Sequence, residues 1–147
     1  MKGIFKPLHP EKYLGNVRNI VYRSSWELKV LMRLDSDPNV LSYSSEEVVI
    51  PYKSPLDGRR HKYYVDFYVK TKSPTGIIQE RLIEVKPKKQ TIPPNKINIK
   101  AVKKPTARRY INEVMTWQVN NSKWQAAKEY CENRGWLFQL MTEEDIF

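Results

Sequence analysis

The sequence has very few of the residues that build disulfides and histidine-based metal sites. Cys131 is the only cysteine among 147 residues, which excludes an internal disulfide and a cysteine-rich zinc site. The two histidines, His9 and His61, are far apart in the chain and cannot make a histidine metal centre unaided. These absences fit a protein of the reducing cytoplasm.

Long apolar runs are also absent. No stretch of eighteen apolar residues exists, so no membrane span is expected, and Met1 to Pro7 lacks the apolar core of a signal peptide. Apolar residues make up 40% of the chain and aromatic residues 12%, which is enough for a hydrophobic core. A chain of this length is expected to form one folded domain.

Acidic residues are missing from one long segment. The chain carries a net charge of +10, yet Val85 to Asn112 contains no Asp or Glu. The segment holds nine basic residues: Lys86, Lys88, Lys89, Lys96, Lys100, Lys103, Lys104, Arg108 and Arg109. Such a block predicts a polyanionic partner, nucleic acid first. A membrane-surface helix is excluded because Pro87, Pro93, Pro94 and Pro105 interrupt the segment. The alternative is that this segment is a solvated basic loop without a binding role.

Two predicted strands carry the residues that suggest chemistry. The first runs from His61 to Lys70 and contains Asp66, and the second runs from Arg81 to Lys86 and contains Glu84. Because side chains alternate along a strand, Glu84 and Lys86 share a face, and pairing of the two strands would bring Asp66 onto the same surface. Two carboxylates suit Mg²⁺, and a neighbouring lysine can stabilise developing phosphate charge.

A structural interpretation competes with this one. An Asp in a strand, or a Glu-x-Lys, is usually part of a solvated face with a cross-strand ion pair. Asp66 is the more informative residue, because it interrupts the strongest β-forming run in the chain and Asp is depleted from strands.

A third acid is expected from one of two positions. Glu27 shares a helical side with Val30, Leu31 and Leu34, so it points towards packed structure, although Ser24 and Glu27 also form a capping-box pattern. Glu46 opens the next predicted strand and is the alternative acid.

Turn and cap signals predict the order helix, three strands, helices, strand, which is an α+β or α/β layered fold. Residues 1–22 are predicted as an extended arm and residues 23–147 as the folded domain. The predicted helices run from Ser24 to about Asp35, from Thr106 to Met115, and from Asn121 or Ser122 to Asn133 with Gly135 as C-cap, and a further helix starts at Thr142. Besides the two strands described above, strands are predicted at Val48 to Ile50, closed by Pro51, and from Trp136 to Leu140. A turn is predicted at Ser54 to Gly58 and a loop around Ser73 to Gly76.

Taken together, these residues resemble the PD-(D/E)xK nuclease superfamily: Glu27 on a helix, then Asp66, then Glu84-x-Lys86. Over about Tyr22 to Thr142 the chain is most similar to the head-completion nucleases of contractile-tailed phages, and its helix-to-sheet core is similar to the transposon end-cutting enzyme TnsA. The stretches that carry the closer resemblance are Tyr22 to Glu27, Ser45 to Tyr52, Ile83 to Lys89 and Asn120 to Ala127. The superfamily often has Pro before its first acid, where this chain has Val65.

The resemblance implies a restriction-endonuclease-like core, a mixed central sheet flanked by helices, with one or two Mg²⁺ ions and Mn²⁺ as an alternative. Asp66 and Glu84 would bind metal, Glu27 would complete the shell or act through water, and Lys86 would position the attacking water. Arg23, Lys88, Lys89, Arg108 and Arg109 are the expected DNA-binding residues.

The function implied is a Mg²⁺-dependent endonuclease that trims or finishes double-stranded DNA, at ends or branches, before the neck and tail are attached. It would work in the cytoplasm of the infected host cell, with the virion as an alternative, and phage head or neck proteins are candidate partners. Two alternatives stay open: an endonuclease of transposition or repair, and a non-catalytic DNA-binding head-connector protein.

Overall fold

The computed structural model describes residues 1–147 and contains eight strands and three α-helices. The strands are β1 (Gly3–Ile4), β2 (Val21–Tyr22), β3 (Val40–Ser45), β4 (Val49–Lys53), β5 (Arg60–Tyr64), β6 (Phe67–Lys72), β7 (Ile78–Val85) and β8 (Leu137–Met141). The helices are α1 (Ser25–Ser36), α2 (Lys104–Arg134) and α3 (Glu143–Ile146), and short 3₁₀ turns lie at Pro10–Lys12 and Lys88–Gln90.

The central sheet has four strands in the order β3, β6, β7, β8. The first two pairings are antiparallel and the pairing of β7 with β8 is parallel. The predicted fold class is therefore confirmed: a mixed sheet with helices on its faces. The middle of the sheet is occupied by β6, which begins directly after Asp66, and by β7, which contains Glu84.

Hydrophobic side chains cover both faces of this sheet, and each face packs against a different helix. Phe67 and Val69 of β6 point to the core that contains the apolar stripe of α1. Tyr68 of β6 and Leu82 of β7 point to the core that contains Trp124 of α2. The alternation of side chains along β6 thus divides one strand between two cores.

The first 22 residues do not extend away from the domain as an arm. Phe5, Tyr13 and Ile20 are buried in the same core as α1. The buried carboxylate of Asp35 accepts hydrogen bonds from the backbone N–H groups of Leu8 and His9 and from the Tyr43 hydroxyl. The sequence of this segment has no helical or strand period, so its attachment to α1 could not be read from it.

The sequence prediction missed the two-residue strands β1 and β2 and one strand of the central sheet, and it placed another strand imprecisely. The missed strand of the central sheet, β3, contains three serines and a β-bulge between Val40 and Ser42, which brings Val40 and Tyr43 inward and leaves no regular alternation. The strand expected to stop at Pro51 continues to Lys53, because β4 pairs only with β5 and a proline is tolerated on such an edge. The turn expected at Ser54 to Gly58 is confirmed, with Gly58 at φ +69°.

The two helices expected in the C-terminal half are one. Helix α2 runs unbroken for 31 residues, because neither Gly nor Pro occurs between Pro105 and Gly135. Its middle is held to the sheet by Trp124, while Gly135 ends it in the left-handed conformation, as predicted. None of the helices is both long enough and apolar enough to cross a membrane.

Candidate active site

Asp66 lies at a break between two strands rather than inside one. The predicted strand from His61 to Lys70 is divided into β5, which pairs with β4, and β6, which belongs to the central sheet. Val65 packs in the α2 core while Phe67 packs in the α1 core, so the regular alternation is lost between them. The chain changes sheets here, and the low strand propensity of Asp suits such a position.

The break places Asp66 beside Glu84. The register of β6 with β7 aligns Phe67 with Ile83, so Asp66 and Glu84 are the next residues of that antiparallel pair. The Oδ2 atom of Asp66 accepts a hydrogen bond of 2.8 Å from the backbone N–H of Val85. The structure thus brings together the two carboxylates that the sequence singled out.

Lys86 follows directly after β7 and is fixed by its backbone. Its N–H donates to the carbonyl of Met141 at 2.9 Å, which ties it to the end of β8. Its side chain is half-buried and forms no salt bridge, but its charge is near enough to Glu84 to oppose the upward shift in the pKa of that carboxyl. A cation is therefore held next to the acidic pair without being neutralised by direct contact.

Burial makes the negative charge of this pair costly. Glu84 is only 6% exposed, and burial raises its pKa above the usual carboxyl range. Burial, followed by the charge of Glu84, raises the pKa of Asp66 well above its ordinary value, while the Val85 N–H opposes the shift. The half-buried Asp66 and the buried Glu84 repel each other when both are ionised, so the pair either keeps a proton or is stabilised by a nearby positive charge.

Two buried oxygen atoms at the pair, Oε1 of Glu84 and the hydroxyl of Tyr63, make no hydrogen bond of regular geometry, although the hydroxyl is close enough to Glu84 for each group to influence the pKa of the other. Tyr63 is 3% exposed and packs in the α2 core, and burial, followed by the charges of Glu84 and Asp66, raises its pKa. Tyr63 could not be predicted as a site residue, because nothing in the run Tyr63-Tyr64 distinguishes the residue that faces Glu84 from the exposed one. Unpartnered buried oxygens point to a ligand or to a hydrogen bond that forms when the ligand binds.

The arrangement fits a hard divalent cation. Mg²⁺ usually takes one or two protein carboxylates and fills its other positions with water or phosphate oxygens. Asp66 and Glu84 supply that number, and Oε1 of Glu84 is an acceptor with no other partner. No group of three or more Asp, Glu, His or Cys side chains is close enough together to form a fuller cage.

The two candidates for a third acid lie beside the pair but are engaged elsewhere. The Glu27 carboxylate accepts a hydrogen bond of 2.6 Å from the N–H of Arg23, and the Ser24 hydroxyl accepts from the N–H of Glu27. The expected capping box is thus formed with Arg23 in place of Ser24 as the backbone donor. Glu27 is nevertheless near enough for its charge to contribute to the raised pKa of Asp66.

Glu46 is adjacent to Asp66 through the backbone. Its N–H donates to the Asp66 carbonyl at 3.0 Å, and its φ of +57° is the only left-handed conformation of a non-glycine residue. Its carboxylate is bound by the Arg23 guanidinium at 3.1 and 3.2 Å. Arg23 therefore links both candidate acids, and its charge is already matched within the protein.

The other predicted DNA-binding residues divide into two groups. Lys88 is bound to the start of α3, with its N–H on Glu143 at 2.7 Å and its ammonium on Glu144 at 2.6 Å. Lys89, Arg108 and Arg109 line one cleft between the proline-rich segment and α2. We call this cleft, bounded by those three cations together with Ile92 and Trp117, the basic cleft.

Comparison with known proteins identifies the family of this chain. Residues 37–143 match the family described as the TnsA-like endonuclease N-terminal domain. This range includes Asp66, Glu84 and Lys86, whereas Glu27 and Arg23 precede it. The chain is also similar to the head completion nuclease of Enterobacteria phage T4, with 38% identity over 146 residues that cover 98% of this chain and 92% of that protein.

Proposed function

Because this chain belongs to the family of TnsA-like endonucleases, we propose that its DNA cleavage depends on a divalent metal bound by Asp66 and Glu84. The observation that carries the proposal is the pairing of the half-buried Asp66 with the buried Glu84, whose Oε1 makes no regular hydrogen bond. The superfamily resemblance assigns the same two residues.

Mg²⁺ is the proposed cofactor, and Mn²⁺ is the expected substitute. The cation would supply Lewis acidity and charge stabilisation at the scissile phosphate. Asp66 and Glu84 would hold it. Burial raises the pKa of both carboxyls, so their ionised forms are unfavourable without a nearby cation, and a bound metal would stabilise them. Glu27 would contribute through a water molecule after releasing the Arg23 N–H, and Glu46 is the alternative if Arg23 turns to DNA.

Lys86 is proposed to act on the reacting phosphate. Its ammonium lies next to the pair without a salt bridge, so its hydrogen-bonding capacity is available to an attacking water or to a phosphate oxygen. Positive charge fixed where negative charge develops stabilises a transition state more than the ground state. The backbone bond to Met141 holds Lys86 in place for this role.

Lys89, Arg108 and Arg109 are the proposed contacts to the DNA backbone, since none of them forms a salt bridge. Lys88 and Arg23 would contribute only after leaving Glu144 and Glu46. Phosphate contacts of this kind position DNA without reading its sequence.

The proposed biological role is completion of phage heads. The similarity to the head completion nuclease of phage T4 covers nearly all of both chains, which favours a DNA-trimming step before neck and tail attachment in the infected cell. Head or neck proteins are proposed partners. The match to the TnsA-like family favours a second candidate, an endonuclease of transposition that needs a partner to choose its site.

A digest with the purified protein tests the proposal. Linear, branched and circular double-stranded DNA are incubated with the protein in Mg²⁺, in Mn²⁺ and in chelator. We expect cleavage only with metal and without a partner protein. Cleavage in chelator would refute the metal dependence, and cleavage only after addition of a site-selecting partner would favour the transposition candidate.

A further inference from the structure

The basic cleft is a large concave site that the cleavage chemistry does not use. It has a volume of about 690 Å³ and lies between the proline-rich segment that follows β7 and the first half of α2. That volume is within the range of about 300–1,000 Å³ that small-molecule sites occupy. Its size therefore admits a nucleotide unit.

The cations of the basic cleft are free to bind an anion. Lys89, Arg108 and Arg109 line it, and none of them belongs to a salt bridge, although Glu113 stands on the same wall. Arg109 and Glu113 are four residues apart on α2 and still do not pair. The walls thus present uncompensated positive charge to the interior.

Apolar and amide groups complete the lining. Ile92 and the half-buried indole of Trp117 face the cleft, and so does Asn120, which is only 7% exposed. An aromatic ring beside an aliphatic side chain offers a stacking surface to a base, and a side-chain amide can bond to a base edge. Phosphate-binding and base-binding groups are therefore present in one cavity.

We propose that the basic cleft binds an unpaired stretch of a DNA strand, so that the protein prefers duplexes that carry a single-stranded end or junction. A duplex can set its outer phosphates against the cations at the rim of the cleft, but its bases are available only as groove edges, so no base of a duplex would enter this cavity. An unpaired strand can place a base against Trp117 and its phosphates against the arginines.

The cleft is close enough to the active site to act on the same strand. Lys89 follows Lys86 by three residues, so their Cα atoms are at most about 11 Å apart. A strand whose scissile phosphate lies at Glu84 would reach the cleft within a few nucleotides. This inference rests on the proposed function, because it assumes that the strand cut at Asp66 and Glu84 is the strand that enters the cleft.

Equilibrium binding in Ca²⁺, measured by fluorescence anisotropy, tests the inference without cleavage. The probes are one blunt duplex and the same duplex with a single-stranded overhang of roughly four nucleotides. We expect wild type to bind the overhang duplex about tenfold more tightly, because stacking of one base on an aromatic ring contributes a free energy of about that size. Ile92→Glu places a negative charge at an exposed cleft position and is expected to abolish this preference.

Ile97→Glu is the matched control. Ile97 lies on the same segment outside the cleft and is 39% exposed, against 60% for Ile92, so both variants are expected to fold, and they change the net charge equally. The control is expected to weaken binding to both duplexes by one common factor and to keep the tenfold preference. Trp117→Leu, checked by thermal unfolding, is expected to lose the preference as Ile92→Glu does.

Equal affinity of wild type for the two duplexes would overturn the inference. So would a preference that survives both Ile92→Glu and Trp117→Leu, or one that Ile97→Glu removes equally. If the wild-type protein shows the overhang preference but no metal-dependent cleavage, the proposed active site is refuted and the cleft assignment stands.

Discussion

At the scale of single residues, the carboxylates of Asp66 and Glu84 destabilise the metal-free protein when they are ionised. Both pKa values are raised in the folded state, chiefly by burial. The folded protein therefore retains protons that the unfolded chain releases as pH rises above the ordinary carboxyl range. The free energy of unfolding must fall through that range and level off once the raised pKa values are passed.

Asp66→Asn is expected to raise stability at neutral pH in chelator and to reduce this fall. The amide oxygen can still accept from the Val85 N–H, so the variant removes the charge and keeps the hydrogen bond. Denaturant unfolding across acidic to neutral pH measures it, with the exposed Glu129→Gln as control. An Asp66→Asn protein less stable than wild type in chelator at neutral pH would contradict the argument.

Tyr63 is expected to hold Glu84 in its metal-binding orientation. Tyr63→Phe keeps the packed ring and removes a hydroxyl that lies near Glu84 without a regular hydrogen bond, so stability should change by less than about 1 kcal/mol. Loss of a group that orients a ligand typically lowers metal affinity about 10- to 100-fold. Calorimetric titration with Mn²⁺ measures this, and Tyr64→Phe, at the exposed neighbour, is the control. Unchanged affinity would show that the Tyr63 hydroxyl does not support Glu84.

The residues of the candidate site could be predicted where the local sequence of a single strand or strand end marks them. Glu84 and Lys86 are two apart on a strand, and Asp66 disrupts a β-forming run, so periodicity alone singles them out. Tyr63 beside Glu84, and Arg23 between Glu27 and Glu46, depend on how distant segments pack. No local pattern contains that information.

At the scale of elements, the N-terminal segment is attached to the domain by the buried carboxylate of Asp35 in addition to its hydrophobic contacts. Asp35→Ala would leave the N–H groups of Leu8 and His9 and the Tyr43 hydroxyl without their acceptor. We expect a loss of about 2–4 kcal/mol in the free energy of unfolding and faster hydrogen exchange at Leu8 and His9. Glu11→Ala, at an exposed position of the same segment, should change neither. Slow exchange at both amides in Asp35→Ala would show that the hydrophobic contacts suffice.

The elements that the sequence predicted well are those with local boundary signals. Ser24 caps α1 because its hydroxyl accepts from the N–H of Glu27, and Gly135 after α2 and Gly58 before β5 adopt positive φ angles that the absence of a Cβ atom permits. The strand β3 was missed because its burial depends on a bulge and on pairing with β6. The continuity of α2 was missed because Asn121 and Ser122 resemble caps but here lie on a helix packed against the sheet.

At the scale of the whole molecule, some basic side chains are already paired with carboxylates and others are free to bind DNA phosphates. If roughly five phosphates are neutralised, the logarithm of duplex affinity should fall against the logarithm of salt concentration with a slope of about −4 to −5. Lys89→Ala should reduce that slope by about one unit. Lys88→Ala should reduce it less, because Lys88 is already bound to Glu144. Salt titrations of binding in Ca²⁺ compare the two, and equal reductions would show that DNA displaces Glu144 from Lys88.

The metal-binding pair Asp66 and Glu84 is the central claim, and single-turnover cleavage of linear duplex DNA in Mg²⁺ tests it most directly. Asp66→Asn and Glu84→Gln preserve shape and remove one ligand charge each. Loss of about 4 kcal/mol of transition-state stabilisation corresponds to a rate lowered about a thousandfold. Both variants should show that loss while they remain folded, and Glu129→Gln should cut at the wild-type rate. Cleavage at the wild-type rate by Asp66→Asn would contradict the account.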